Sequence, residues 1–453
     1  DKSTNYNVTN VVILETKLER EKVQKAFEGL IKRHEMLRVS FHDERGELYQ
    51  IIHASPEAYV DYEYMSDDEA KARFNIIYDD FVKPFDLGKP VHMRIKLINT
   101  DSGKSILIYD IHHIITDGIS NEILIRDFLD LYSGKQLQPL NHTYLEHIEG
   151  FYKMIDTPQF IEQEQFWLKK LDGTLPVIDL PTKNGRSNIQ NHEGAHKRFE
   201  LSNQLVKKLK TECWENGATL YMILYSVLNL VFYRYSGQTD IIIGTPTIGR
   251  KKRYADVVGM FVNTVVMRSS INMENSFKEY LSYIKESVLE SFKNQDYPFS
   301  FLVEKLDSRR EFDRNPVFDI MFVLQNYGID RERGDSLGKI ESNENNVFNK
   351  SSKFDISFSA VEENEHIVFD VEYSTQLFDD SLIDFMIEDY IAIAEEVVDA
   401  DDIRLKEMKL ISDRQLQIIT KQLPNPTVLY DKNETIISMF EQMVLLHGSD
   451  NAV

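Results

Sequence analysis

Residues 111–120 read Ile-His-His-Ile-Ile-Thr-Asp-Gly-Ile-Ser, and the reading of the whole chain turns on them. Upstream, Ser105 to Ile111 is a β-branched and aromatic run that follows the turn residues Asn99 to Gly103, which predicts the second strand of a hairpin. The two histidines then fall at a strand end. Downstream, Asp117-Gly118 breaks the strand, and Ser120 is placed to cap a helix running through Ile123, Leu124, Phe128 and Leu131 to a stop at Ser133-Gly134. A strand–loop–helix junction of this kind lets side chains face a cleft.

Neighbouring residues on a strand point to opposite faces, so His112 and His113 cannot serve one site in the same way. One should face a reaction and the other the scaffold. The same geometry argues against a metal, because two ligands aimed apart do not close a His-His-Asp set. The plain alternative is a pair of satisfied core histidines beside an ordinary turn. The intact Asp117-Gly118 favours a site: Asp117 can fix the loop through a buried ion pair, and Gly118 lets backbone approach a substrate. Arg33 and Arg38 flank a strand start in Arg-His-Glu-Met-Leu-Arg-Val-Ser-Phe; each reads either as solvated surface or as the cation that a buried Asp117 requires.

At 453 residues the chain exceeds one ordinary domain and predicts two lobes, each able to bury a core. A formal charge of −22 argues against nucleic acid or an anionic membrane as partner. The single cysteine, Cys213, excludes an internal disulfide framework, and its neighbours Glu212 and Glu215 do not favour a reactive thiolate, so reducing cytoplasm is expected. Leu220 to Tyr233 is the most apolar run, too short for a bilayer and interrupted by Ser226 and Asn229; it predicts a buried helix capped by Thr219. With no initiator methionine or signal-like start, and an end within ordinary folded sequence, the chain reads as a piece of something longer.

Working outward, Asn10 to Leu14 predicts a strand, followed by a helix whose Val23, Ala26, Phe27, Leu30 and Ile31 form one apolar face. Val91 to Ile98 pairs with the strand leading to His113, giving an α+β lobe, and Thr143 to Leu171 reads as helical. Asp179 to Gly185 is a turn-rich linker where the lobe boundary is expected. In the second lobe, helices at Glu200 to Glu212 and from Ser276 alternate with strands at Ile241 to Ile243, Asp319 to Leu324, Phe354 to Ala360 and His366 to Tyr373; a helix over Ser381 to Val398 follows. Arg250-Lys251-Lys252-Arg253 is the one basic run in an acidic chain: a solvated loop, or a docking point for an acidic partner. Val258 to Thr264 could line a groove or belong to the core. Ile329 to Asn349 reads as a charged loop.

As a set, these motifs resemble the condensation domain of nonribosomal peptide synthetases. They are Arg33 to Phe41 (RHEMLRVSF), His112 to Gly118 (HHIITDG), Val258 to Thr264 (VGMFVNT), Asn294 to Phe299 (NQDYPF) and Asp313 to Val317 (DRNPV), in family order over nearly the whole chain. The family's first motif is absent, and Tyr144 to Ile148 matches the fourth only at its tyrosine. Glu434 to Val453 resembles the opening of an adenylation domain. The resemblance implies two-layer α+β lobes forming a chloramphenicol acetyltransferase-like pseudo-dimer, in a V with a central tunnel. Its divisions would be an N-terminal lobe over 1–178, a C-terminal lobe over 179–414, and a linker with the start of an adenylation domain over 415–453.

The implied activity is peptide-bond formation between a donor thioester and an acceptor amine. Both would be tethered by phosphopantetheine to peptidyl carrier proteins, with an adenylation domain downstream and no cofactor or metal held by the domain itself. His113 would be catalytic with Asp117 and Gly118, supported by His112, Arg33 and Arg38, with the structural arginine for Asp117 sought in Arg33 to Arg38. Ser120, Asn263, Thr264 and Asn315 would line the tunnel. An epimerisation domain, or a noncatalytic recruitment module of the same fold, is the alternative; the wording of HHIITDGIS and DRNP resembles domains that join two L-residues.

Overall fold

Alternation of apolar and polar residues in the first third of the chain builds a sheet with helices on both faces. The computed structural model describes residues 3–183, 185–186, 193–306, 314–325, 341–342, 351–363, 365–399, 402–422 and 435–447. In chain order the first part supplies β1 (Asn7–Leu14), α1 (Arg20–Arg33), β2 (Val39–Glu44), β3 (Glu47–Ile52), β4 (Val60–Met65) and α2 (Asp67–Phe81). There follow β5 (Met93–Thr100), β6 (Ser105–His112), α3 (Gly118–Tyr132), α4 (Tyr144–Tyr152) and α5 (Pro158–Lys170).

The predicted hairpin is β5–β6, antiparallel with Met93 opposite Ile111 and Asn99 opposite Ser105. On β6, Leu107, Tyr109 and Ile111 point into a core closed by α1 and α3, whereas Ile108 points the other way, into a core closed by Ala70, Ile77, Tyr78 and Phe81 of α2. Helix α1 buries the five residues its spacing singled out. The sequence reading did not place α2, so the first lobe gains a third layer.

The second part supplies β7 (Gly194–Leu201), α6 (Asn203–Glu215), α7 (Leu220–Ser236), β8 (Asp240–Thr247), β9 (Asn263–Ser270), α8 (Phe277–Lys293) and α9 (Phe299–Lys305). After these come β10 (Ile320–Gln325), β11 (Glu341–Ser342), β12 (Ile356–Glu363), β13 (His366–Ser374) and α10 (Asp380–Asp399). A six-stranded sheet runs β7-β13-β12-β10-β8-β9. Helix α7 is its central support: Met222 to Phe232 are all buried, Thr219 accepts from Met222 N, and Gly237 ends the helix at φ 69°. Burying a Val, Leu, Ile or Phe side chain stabilises by about 1.5–3 kcal/mol, so this one helix anchors the lobe.

Two features cross the expected boundary. Phe160 and Trp167 of α5, with Leu171, Ile178 and Leu180, pack in the second core, so packing changes lobes before the turn-rich stretch at 179–185. Conversely, β11 pairs with β1 on the edge of the first sheet, Val12 opposite Ser342. Residues 1–410 accordingly form one compact unit, and 411–453 a second that holds α11 (Asp413–Gln417) and α12 (Ile436–His447). Apart from β11, the predicted loop at 329–349 lies outside the described residues, as do Asp313, Asn184 and Glu434. Among the described residues no single helix is long and apolar enough to cross a membrane.

Candidate active site

The histidine loop is fixed by backbone before any side chain acts. His112 N–H donates to His92 O (3.0 Å) and His113 N–H to Tyr6 O (2.8 Å), so the loop is tied to the β5 approach and the N-terminal strand. The strand ends there in a 3-10 turn over His113–Ile115. His112 is 4% exposed, accepts from Ile114 N–H at Nδ1 (3.1 Å) and meets Phe85 edge-on. Burial lowers its pKa to about 4, so it is neutral scaffold at physiological pH. His113 lies in the turn with its Nδ1 2.8 Å from Thr116 O. A carbonyl only accepts, so Nδ1 carries the proton and Nε2 keeps its lone pair. Burial, then the Lys353 charge, lower the pKa of His113 and hold it as neutral imidazole. No hydrogen-bond partner meets Nε2 among the described residues. A Cβ built at Gly118 would meet nothing within 4 Å, so room remains beside the loop.

Asp117 is the node that joins the lobes, and its cation is Arg250 rather than Arg33 or Arg38. Arg250 Nη2 donates to Asp117 Oδ1 (2.8 Å) and Oδ2 (3.1 Å), with the two side chains 4% and 2% exposed. The carboxylate also takes N–H bonds from Ser120 (2.7 Å) and Phe261 (3.0 Å). Four hydrogen bonds from three nitrogens around one buried carboxylate offset much of its desolvation cost. Arg250 lies over the Phe261 ring at 3.9 Å and donates to Tyr254 O and Val257 O. The first arginine of the basic run is therefore interior, which corrects both readings of that residue.

Arg33 is committed elsewhere, to Asp127 Oδ2 (2.7 Å) and Gln138 O. Arg38 donates to His53 O at 2.6 Å. Neither pairs with Asp117: Arg33, at the end of α1, is turned to Asp127 of α3, and Arg38, just before β2, to the backbone that follows β3. Ser120 does not cap α3 either: Asp117 is the cap. The Ser120 hydroxyl instead donates to Gly259 O (2.8 Å) and accepts from Gly259 N (3.0 Å) and Arg250 (2.7 Å), fully buried.

Two of the other expected lining residues hold neighbouring backbone. Asn263 Nδ2 donates to Gln295 O (2.7 Å) and Tyr297 O (2.8 Å), and its Oδ1 accepts from Phe299 N (3.1 Å), so it pins the NQDYPF segment onto β9. Thr264 stands half-buried opposite Pro246. Asn315 Nδ2 donates to Lys353 O (3.3 Å). Among the described residues no three His, Cys, Asp or Glu side chains assemble as metal ligands would.

Gly259 is required by a close approach. A Cβ there would fall 2.1 Å from Cδ2 of Tyr144, whose hydroxyl donates to Met260 O (2.6 Å). Gly259→Ala is expected to lower stability by about 1–3 kcal/mol through overpacking. Calorimetric midpoints check this, and Tyr144→Leu in the same chain should recover part of the loss.

Two α/β lobes joined through a buried Asp–Arg pair behind a His-His-x-x-x-Asp-Gly loop define the class of chloramphenicol acetyltransferase-like pseudo-dimers. Within it, the chain belongs to the condensation domain family of nonribosomal peptide synthetases: a family model described as Condensation domain matches residues 1–420. Gramicidin S synthase 2 of Brevibacillus brevis is 35% identical over 442 residues, covering 97% of this chain and 10% of that protein. Tyrocidine synthase 3 of Brevibacillus parabrevis is 33% identical over 438 residues, covering 96% and 7% respectively. The chain thus spans a tenth or less of these relatives' length. The fold is shared with a four-domain nonribosomal peptide synthetase bound to AMP and glycine, at TM-score 0.82, 20% identity, and 99% of this chain and 35% of that one. It is shared too with the X-domain from teicoplanin biosynthesis, at TM-score 0.80, 19% identity, and 89% and 93%.

Proposed function

We propose that this chain forms a peptide bond between the donor acyl thioester on one carrier protein and the α-amine of an acceptor aminoacyl thioester on another. Each would arrive on phosphopantetheine, through a tunnel between the lobes. The observation that carries the reading is the disposition of His113: Nδ1 is engaged by Thr116 O, and neutral Nε2, which meets no partner among the described residues, is left to meet an amine. The amine attacks the thioester carbonyl, the C–N bond forms, the carrier thiolate leaves, and the proton lost by nitrogen passes to His113 Nε2. A free α-amine has a pKa near about 7.7–8 and a thioester is already activated, so holding the two arms in line supplies much of the rate.

The intact HHIITDG loop supports a catalytic domain over a recruitment module. The wording of HHIITDGIS and DRNP supports joining two L-residues, and the sequence from Glu434 supports an adenylation domain downstream. The test mixes the protein with two carrier proteins, each loaded with one L-aminoacyl group, and follows dipeptidyl thioester by mass spectrometry. Dipeptide on the acceptor carrier, dependent on both loaded carriers, is expected. Carriers that bind while no dipeptide forms over a panel of aminoacyl groups would sink the reading in favour of recruitment, and inverted Cα configuration on one carrier would do so in favour of epimerisation.

A further inference from the structure

Lys353 comes from the second lobe, three residues before β12, yet its ammonium lies 5.3 Å from the centre of the Tyr6 ring in the first. Tyr6 is the residue whose carbonyl holds His113 N–H at 2.8 Å. The lysine backbone is clamped on both sides: its N–H donates to Glu372 Oε1 (3.1 Å) and its carbonyl accepts from Asn315 Nδ2 (3.3 Å). Glu372, the carboxylate that acts on this lysine, is thus occupied by its backbone, and among the described residues no carboxylate forms an ion pair with the ammonium. A cation of the second lobe thus lies against the residue that holds the histidine loop.

We propose that Lys353 is a positioning residue for the reaction: its ammonium, seated on Tyr6, keeps His113 an uncharged imidazole and so leaves Nε2 open to the acceptor amine. The inference rests on the reading that His113 meets that amine. The groups acting on His113 can be named. Burial opposes the imidazolium most, then Lys353; the backbone of His113, the carbonyl of Thr116 and, last, Asp117, whose carboxylate Arg250 pairs, favour it. Lys353 disfavours the charged form of His112 as well. The same field disfavours an acceptor ammonium relative to the neutral amine, the form able to attack. Asn315, which the sequence suggested as tunnel lining, becomes the residue that fixes the lysine-bearing segment.

The experiment titrates His113 directly. The full chain is labelled with ¹³C at histidine Cε1, and the His113 resonance is assigned by its loss in His113→Gln. Lys353→Met should raise the His113 midpoint by about one pH unit, as expected when a unit charge acting on a partly buried site is removed. Lys353→Arg should leave it within about 0.3 units, since the charge is kept. Lys353→Gln, which removes the charge but keeps a polar end, takes the place of the methionine variant if that fails to fold. A midpoint that stays put in the uncharged variants would overturn the proposal, as would an arginine variant that moves as far as they do. Because the titration needs no turnover, failure of the dipeptide assay with a shifted midpoint would remove the functional reading and leave the electrostatic one standing.

Discussion

Arg250→Met is expected to lower the free energy of unfolding by about 3–5 kcal/mol, the cost typical of removing one partner from a buried ion pair, and to abolish dipeptide formation. The magnitude follows from what stays behind. Asp117 would keep the N–H bonds from Ser120 and Phe261 but lose its counter-ion at 2% side-chain exposure. Ser120 Oγ would lose a donor, and the guanidinium face would leave Phe261. Arg250→Lys should recover only part, because one ammonium cannot reproduce the fork that reaches Asp117, Ser120 and two carbonyls while stacking on a ring. Urea midpoints measure the effect. Asp117→Asn with Arg250→Met should cost less than the two single losses added, since the double variant leaves no lone buried charge. Arg38→Met supplies the contrast: among the described residues its side-chain hydrogen bonds go to the carbonyls of His53 and Ala54, and it should cost about 1–2 kcal/mol. A loss in Arg38→Met as large as that in Arg250→Met would contradict the assignment of the node.

How far the sequence could be read depended on the range of the interaction. Helices α1 and α7 declared themselves because their packing faces repeat every turn, and the β5–β6 hairpin because its turn is local. That Asp117 needs a buried cation was legible from His-His-x-x-x-Asp-Gly itself, yet which cation was not. Arg250 stands 133 residues away in a run of four basic residues, where charge density reads as surface. The usable signal was the apolar Val257-Val258-Gly259-Met260-Phe261 following it, a sign that this loop folds inward. Ser120 was misread as the cap because a serine three residues into a helix resembles one; Asp117 both caps α3 and pairs with Arg250, leaving the serine hydroxyl for Gly259. Helix α2 stayed hidden because its buried Ala70, Ile77, Tyr78 and Phe81 are a narrow stripe among charges. The pairing of β11 with β1 joins residues more than three hundred positions apart, and no periodicity encodes that.

His113→Ala is expected to slow single-turnover dipeptide formation by about 10²- to 10⁴-fold, the usual contribution of a placed general base, while leaving the unfolding midpoint nearly unchanged. Stability should hold because His113 is only half-buried and its side-chain bond to Thr116 is local. His112→Ala should behave in the opposite way: the ring is 4% exposed and packed edge-on to Phe85, so its removal opens a cavity and lowers stability first. The pair therefore separates chemistry from scaffold at adjacent positions, His112 ending the strand and His113 opening the turn after it. Quenched-flow measurement with both carriers loaded reads the chemical step apart from carrier binding. If His113→Ala retained dipeptide formation within about threefold, an effect below any ordinary general base, proton removal would belong to solvent and the loop would serve only to orient the two thioesters. A large loss that disappears when the pH is raised well above the amine's range would instead place His113 at the deprotonation of the acceptor before attack. A large loss at every pH would place it in the attack itself, where the forming C–N bond makes the nitrogen's proton acidic and the neutral Nε2 is the group positioned to accept it.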